Sequence, residues 1–232
     1  MTMPMSIVKP QEFYDRTGRQ HFGANYGSYP AQNDITFQTV TSLKPSGKVI
    51  ELACGDARIL SALLAEGIDI EGFDYSDTML DIAKTEYKVP AERLHNLDLL
   101  KNPLPFPDNT ADVAFCSRAL SYLNDPMPLI REMLRVVKPN APIIIDFFHD
   151  PKADMAVRRE ERNWGQTDQG EMLFTENYEF NAQKVIAAAR EDFDIARVDL
   201  LYPKRVKDIK RGALKQLPQN YVFLTLHKGP KV

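Results

Sequence analysis

Hydrophobic positions along this chain follow two rhythms. Between residues 48 and 148, short apolar runs that suit strands buried on both faces alternate with stretches whose apolar residues recur every three or four positions, as amphipathic helices require. Val49, Ile50 and Leu52 form the first run; a small-residue turn from Ala53 to Ala57 follows, in which Gly55 lets the backbone turn sharply. Ile59, Leu60, Leu63 and Leu64 then repeat with helical spacing as far as Gly67. Ile68–Asp74 reads as a second strand, and Ser76 stands where an N-cap should precede Met79, Ile82 and Ala83. Arg93–Leu100 is a third strand ending near Asp98, after which Pro103, Pro105 and Pro107 exclude regular structure. Ala111–Cys116 is the fourth. Asp125 as N-cap and Pro126 in the first turn open a helix with a stripe of Leu129, Ile130, Met133, Leu134 and Val137, and Ala141–Phe148 is the fifth strand.

Such alternation implies right-handed crossovers, a parallel sheet and helices on both faces, an α/β doubly wound fold of the Rossmann-like kind. The last third departs from it. Pro151–Gln166 is strongly charged, Met172–Phe180 alternates loosely like an extended segment, and Asn181 should cap a helix through Val185, Ile186 and Ala189. A sixth strand is expected around Ile195–Leu201 and a seventh around Tyr221–Leu226, about seven in all. Between these last two, Lys204–Lys215 carries six basic residues, either a solvated face or a contact for phosphate or an acidic substrate. Before the first strand, residues 1–45 hold Phe13, Tyr14, Phe22, Tyr26, Tyr29 and Phe37 and read either as a helical lid or as a helical cover for one sheet edge.

The chain has 232 residues, 44% of them hydrophobic, enough for one sizeable core and nothing that obliges a second. The expected organisation is a single domain: an N-terminal helical lid over 1–45, a cofactor-binding core over 46–150, and a substrate-cap segment with C-terminal strands over 151–232. A net charge of -3 disfavours nucleic acid as a partner. The N-terminus lacks a secretory pattern and no apolar run is long enough to span a bilayer, so a cytoplasmic protein with no membrane association is expected. Cys54 and Cys116 have neither metal-ligand nor redox spacing and read as free thiols, His95 reads as a satisfied strand histidine, and no metal is expected.

Acids close two of the strands. Asp74 lies roughly 20 residues beyond Glu51, near the interval at which an acid meets ribose hydroxyls in nucleotide folds, although aspartate also serves commonly in turns.

These positions resemble class I S-adenosylmethionine-dependent methyltransferases of the small-molecule type. The likeness runs from about Val49 to Phe148 and rests on Glu51-Leu-Ala-Cys-Gly-Asp-Ala57, on Asp74-Tyr-Ser76, on Leu97-Asp98, on Leu104-Pro-Phe-Pro-Asp108 with Ala111-Asp-Val113, and on Arg135-Val-Val-Lys-Pro139. The resemblance implies S-adenosyl-L-methionine as cofactor, S-adenosyl-L-homocysteine as product, and a last strand antiparallel to the rest. Gly55, with Ala53 and Cys54, would pass the methionine part, Glu51 would orient the loop or the amino group, and Asp74 would accept from both ribose hydroxyls. Asp98 and the Leu99 amide would read the adenine edge, and Tyr75, Met79 and Leu99 would pack its faces. Ser76, Leu97 and Tyr14 complete the expected cofactor set, with Cys116 and Ser117 closing the methionine side. Ala57 stands where the family usually has its last glycine, and because alanine disfavours positive φ the loop is expected to take a slightly different path there.

The expected reaction moves the sulfonium methyl to a nitrogen, oxygen or carbon of a small-molecule acceptor. His149, after the fifth strand, is the first candidate for a base, with a merely structural loop histidine as the other reading. Arg118, Tyr122 and Trp164 with Tyr26 and Tyr29 are expected to shape the acceptor pocket, in a monomer or homodimer. Protein methylation or a non-catalytic partner subunit are the alternatives. A nicotinamide dehydrogenase is disfavoured because the loop lacks Gly-x-Gly-x-x-Gly, and a DNA adenine methylase because Cys116-Ser-Arg-Ala-Leu120 lacks a Pro-Pro-aromatic signature.

Overall fold

The structure, a computed structural model, describes residues 5–25, 34–158, 163–202, 206–208, 213–215 and 221–230. In chain order its elements are β1 (Met5–Ile7), α1 (Pro10–Asn25), α2 (Ile35–Leu43), β2 (Val49–Leu52), α3 (Arg58–Ala65), β3 (Ile70–Asp74), α4 (Asp77–Thr85) and β4 (Leu94–Asn96). They continue with β5 (Val113–Cys116), α5 (Met127–Val136), β6 (Pro142–Phe148), β7 (Ala156–Arg158), β8 (Asn163–Gln166), β9 (Met172–Thr175) and β10 (Tyr178–Phe180). Last come α6 (Ala182–Asp192), β11 (Ile195–Leu201), β12 (Val206–Asp208), β13 (Ala213–Lys215) and β14 (Tyr221–Lys228).

The main sheet has seven strands in the order β11-β14-β6-β5-β2-β3-β4, all parallel except that β14 runs antiparallel to both its neighbours. This is the doubly wound fold expected from the sequence. The chain winds outward from β2 to β4, then returns to β5 and winds the other way, so the strand order reverses beside β2. Open α/β sheets bind their ligands at such a reversal, beyond the carboxyl ends of the strands.

Each face is covered because the central strands β2, β5 and β6 are buried on both sides. Ile50, Leu52, Ile143, Ile145, Phe147, Val222 and Leu224 pack with α5 and α6, whereas Val49, Phe115 and Ile144 pack with α2, α3 and α4. Strand alternation therefore puts Glu51 and Asp146 together on the second face.

The proline-rich passage after β4 is folded by one side chain. Arg135 of α5 donates to the carbonyls of Leu104 and Phe106 and pairs with Asp108 and Glu132, while Glu132 accepts from the Leu104 amide. Leu104–Asp108 and Arg135 are thus one structural unit.

Three boundaries differ from expectation. Arg93 ends a single 3-10 turn and β4 stops at Asn96, because Leu97 and Asp98 turn away to begin the hydrogen-bonded bend that receives Lys101. Helix α5 starts at Met127, with the Asp125 carboxylate accepting from the Met127 amide. The N-terminal and 151–180 segments hold more strand than the periodicity suggested: β1, β9 and β8 form one small sheet and β10 pairs with β7 in another.

Candidate functional site

The loop from β2 into α3 is held in a strained shape. Ala53, Gly55 and Ala57 all adopt the left-handed region, at φ of 52°, 55° and 55°. The expectation that Ala57 would divert the backbone is therefore corrected: alanine keeps the positive φ at a cost of roughly 1–2 kcal/mol. The surroundings offset that cost. The Ala57 methyl is fully buried in the α2/α3 core, its N–H donates to Cys54 O at 2.9 Å, and its carbonyl accepts from the Ser61 amide at 2.8 Å.

Asp74 ends β3 beneath this loop. One carboxylate oxygen accepts from the Gly55 amide at 2.8 Å and the other from the Ser76 amide at 2.9 Å. Burial pushes its pKa up to about 6 against the pull of those amides. Each oxygen retains capacity for a second donor, as a ribose diol would supply.

Glu51 is 4% exposed at the end of β2, and its Oε2 has no hydrogen-bond partner among the described residues. Burial, and then Asp56, raise its pKa well above the ordinary carboxylate range, opposed by Arg118 and Arg58. An unpaired buried carboxylate oxygen costs on the order of 1–3 kcal/mol or more. An ammonium group is the natural partner for it. Asp98 beyond β4 accepts from the Leu100 amide at 3.1 Å and from Lys101 Nζ at 2.6 Å; burial would raise its carboxyl, but Lys101 and that amide hold it low. Leu97 donates its amide to Asp74 O, and Leu97 and Leu99 pack half-buried against the α5/α6 core.

Across the sheet reversal, Cys116 ends β5 and Ser117 and Arg118 follow. Ser117 Oγ donates to Asp146 Oδ2 at 3.0 Å, and the Arg118 amide donates to Asp146 Oδ1. Arg118 sits at φ 60°, a shape fixed by that buried carboxylate. Burial and then the neighbouring Asp146 raise the Tyr221 hydroxyl, and burial lifts the pKa of Asp146 to about 6. The Asp34 carboxylate caps α2 through the Thr36 amide and receives Arg58 Nη2 at 3.1 Å and Arg118 Nη1 at 3.5 Å. Sequence reasoning missed Asp34, Arg58, Asp146 and Tyr221. One signal was available: Asp146 is the lone acid in the apolar run Ala141–Phe148.

Helix α1 roofs the site. On one side Gln11 Nε2 donates to Tyr75 O at 3.1 Å, Ser76 Oγ donates to Asp15 at 2.6 Å, Thr78 Oγ1 donates to Asp15 O at 3.0 Å, and Arg19 pairs with Asp81. Gly18 faces Met79 so closely that a Cβ would lie 2.9 Å from Sδ. The Met79 methyl in turn reaches toward Gly55. On the opposite side α1 lies on β8 and β9, with Arg16 paired to Glu171. Between the two, Tyr14 Oη meets Tyr122 Oη at 2.5 Å.

The carboxyl edge thus gathers Glu51, Ala53, Cys54, Gly55, Asp74, Tyr75, Ser76, Met79, Leu97, Asp98 and Leu99 on one flank. Cys116, Ser117, Arg118 and Tyr122 lie on the other, with Tyr14 above. His149 Nδ1 lies 3.1 Å from both Phe180 O and the Ala182 amide, a contact that ties β6 to the start of α6. Trp164 stands on β8 opposite Phe174, its side chain outside the described residues, as are Tyr26 and Tyr29. Burial raises both thiols, Cys54 and Cys116, and among the described residues no cluster of His, Cys, Asp and Glu could hold a metal.

Residues 50–145 match the family model described as a methyltransferase domain. Demethylmenaquinone methyltransferase of Bacillus cereus (strain AH187) is 34% identical over 111 residues, which cover 45% of this chain and 46% of that protein, so the chain spans less than half the length of the curated relatives it matches. Among solved structures, the CcbJ methyltransferase from Streptomyces caelestis superposes with a TM-score of 0.63 at 14% identity, covering 94% of this chain and 98% of that one. The glycopeptide N-methyltransferase MtfA complexed with S-adenosyl-L-homocysteine gives 0.58 at 14%, over 97% and 92%. Residues 50–145 are therefore similar to a methyltransferase domain, and the fold that surrounds them is the one seen in these solved methyltransferases.

Proposed function

We propose that this protein transfers a methyl group from S-adenosyl-L-methionine to a nitrogen, oxygen or carbon of a small-molecule acceptor. The observation that carries the reading is the buried, unpartnered Oε2 of Glu51 beside the Gly55–Asp74 loop, a carboxylate suited to a cationic amino group next to a second suited to a diol. Glu51, Ala53, Cys54 and Gly55 would hold the methionine part. Asp74 would hold the ribose, Tyr75, Ser76, Met79, Leu97, Asp98 and Leu99 the adenine, and Tyr14, Cys116 and Ser117 would close the remaining side.

When bound, the cofactor supplies an activated methyl on sulfur. The chain's own work is alignment and exclusion of water, an effect worth up to about 7–11 kcal/mol in favourable cases. Helix α1 serves this by covering the carboxyl edge from α4 to Tyr122. Asp146 fixes the backbone of Ser117 and Arg118, so that the β5 end presents one surface to an acceptor. His149 remains our candidate for taking a proton where the acceptor carries one, through Nε2 in the tautomer whose Nδ1–H donates to Phe180 O.

Residues 1–45 act in this reading as a lid, 46–150 as the cofactor core, and 151–232 as a substrate cap with terminal strands; of the expected acceptor residues, Arg118 and Tyr122 are the two whose side chains are described, and they border the acceptor. The activities named for similar proteins, on demethylmenaquinone and on a glycopeptide nitrogen, support an organic acceptor. No described helix is long and apolar enough to cross a membrane, and we place the protein in the cytoplasm as a monomer or homodimer. A methyl-labelled donor screened against amines, phenols, carboxylates and heterocycles tests the reading. Labelled product with S-adenosyl-L-homocysteine supports it, and no transfer to any class counts against it.

A further inference from the structure

Two further buried polar groups lack partners. Thr175 is 1% exposed and Asn177 7%, and neither Thr175 Oγ1 nor Asn177 Oδ1 has a hydrogen-bond partner among the described residues. Each such atom costs on the order of a lost hydrogen bond and asks for an explanation.

Their direction follows from the strands. Leu173, Thr175 and Asn177 are buried while Phe174, Glu176 and Tyr178 are half-exposed, so the three buried residues share one side of an extended run. Leu173 pairs across the small sheet with Gly165, and directly opposed residues share a face. Gly165 lies against Phe13 and Thr17 of α1. The side bearing Thr175 and Asn177 is therefore the side on which α1 lies. Beyond Asn177, β10 packs against the turn at Leu120–Tyr122 and against β6. The pair thus runs from beneath the roof helix toward the place where Tyr14 and Tyr122 join, at the carboxyl ends of β5 and β6.

The chemistry of this stripe is neutral. Glu176 turns outward to Arg158 and to the Tyr178 hydroxyl, and Glu171 is taken by Arg16. What remains is one carboxamide oxygen that accepts and one hydroxyl that donates or accepts, on the side of β9 that faces α1, where Phe13 stacks edge to face with Tyr14 and Tyr14 with Tyr122.

Resting on the methyl-transfer reading, we infer that Thr175 and Asn177 form the hydrogen-bonding floor of the acceptor site, and that the acceptor is a neutral aromatic molecule offering an N–H or O–H to Asn177 Oδ1. The two groups select their substrate at the expense of the free protein's stability.

The variants Thr175→Val and Asn177→Leu test this, because each keeps the shape and removes the unpaired atom. The ligand-free melting temperature is expected to rise by about 2–4 °C in each. Transfer to 2-naphthol and 4-hydroxyquinoline, as neutral donor probes, should fall at least tenfold in kcat/KM, and the wild type should prefer both to 2-naphthoate. Affinity for S-adenosylmethionine should stay at the wild-type value. A drop in melting temperature in both variants, unchanged transfer in both, preference for 2-naphthoate, or no transfer to either neutral probe by cofactor-bound wild type overturns the inference alone. Failure of the wild type to bind S-adenosylmethionine overturns the methyl-transfer reading as well.

Discussion

The hydroxyls of Tyr14 and Tyr122 meet at 2.5 Å, and this one contact joins the roof helix α1 to the turn after β5. Their rings also stand edge to face, with centroids 5.6 Å apart. The rest of α1 is fastened to α4 or to the small β1-β9-β8 sheet, so the tyrosine pair is the latch across the cofactor side. Replacing Tyr14 by Phe keeps the ring contact and removes one hydrogen bond worth about 0.5–1.5 kcal/mol. Stopped-flow dissociation of S-adenosylhomocysteine should quicken by a few-fold to about tenfold. An unchanged rate would mean that the latch does not retain the cofactor.

Gly18 sets how closely the roof descends. A Leu side chain there would begin 2.9 Å from the Met79 sulfur and 3.2 Å from the Thr78 methyl, so α1 or Met79 must shift. Gly18→Leu should cost about 1–3 kcal/mol by overpacking. Hydrogen exchange should speed up in α1 and β9 while β2, β5 and β6 stay protected.

Three residues of the cofactor loop share the left-handed region, but only Gly55 is suited to it. Ala53→Gly should stabilise the protein by roughly 0.5–1 kcal/mol, the relieved strain exceeding the added unfolded-state entropy. Ala57→Gly relieves the same strain but gives up a fully buried methyl, worth about 0.8 kcal/mol, so its effect should be near zero. Urea titration of the two variants side by side measures the difference.

Most of the frame was legible because strands buried on both faces and helices with one apolar stripe write strong periodicities. One flank of the candidate site was legible for the same reason: Glu51, Gly55, Asp74 and Asp98 sit at or just beyond strand ends that the pattern locates. Asp34, Arg58 and Arg118 were harder, because a buried ion pair between residues 24 or more positions apart leaves no local mark. The stripe of Thr175 and Asn177 looked like loose alternation. Its meaning depends on β9 pairing with both β1 and β8, contacts distant in sequence that no periodicity reports.

In the proposed site, Asp74 and Glu51 should make binding of S-adenosylmethionine depend on pH. Burial raises both acids in the free protein, Asp74 to about 6, so the native state holds protons that the unfolded chain would release. For Asp74 alone, the contribution to stability is fully present below the unfolded value of 3.8 and is lost as pH rises through about 6. Binding requires the ionised forms and runs the other way: affinity for S-adenosylmethionine should be lost as pH falls through about 6, approaching tenfold per unit for Asp74. Calorimetry at pH 6 in buffers of different ionisation enthalpy should record protons released on binding. Proton uptake, or a flat affinity between pH 5 and 7, would contradict the assignment.

The central claim is that the Glu51 carboxylate and the Asp74-held loop form an S-adenosylmethionine site. Titration calorimetry of the wild type and of Glu51→Gln with S-adenosylmethionine tests it most directly. The expected result is one site per chain, no binding of NADH, and a loss of about 10- to 100-fold in Glu51→Gln, the worth of a charge-assisted hydrogen bond. Equal affinity in the two proteins, or no binding to the wild type, would contradict it.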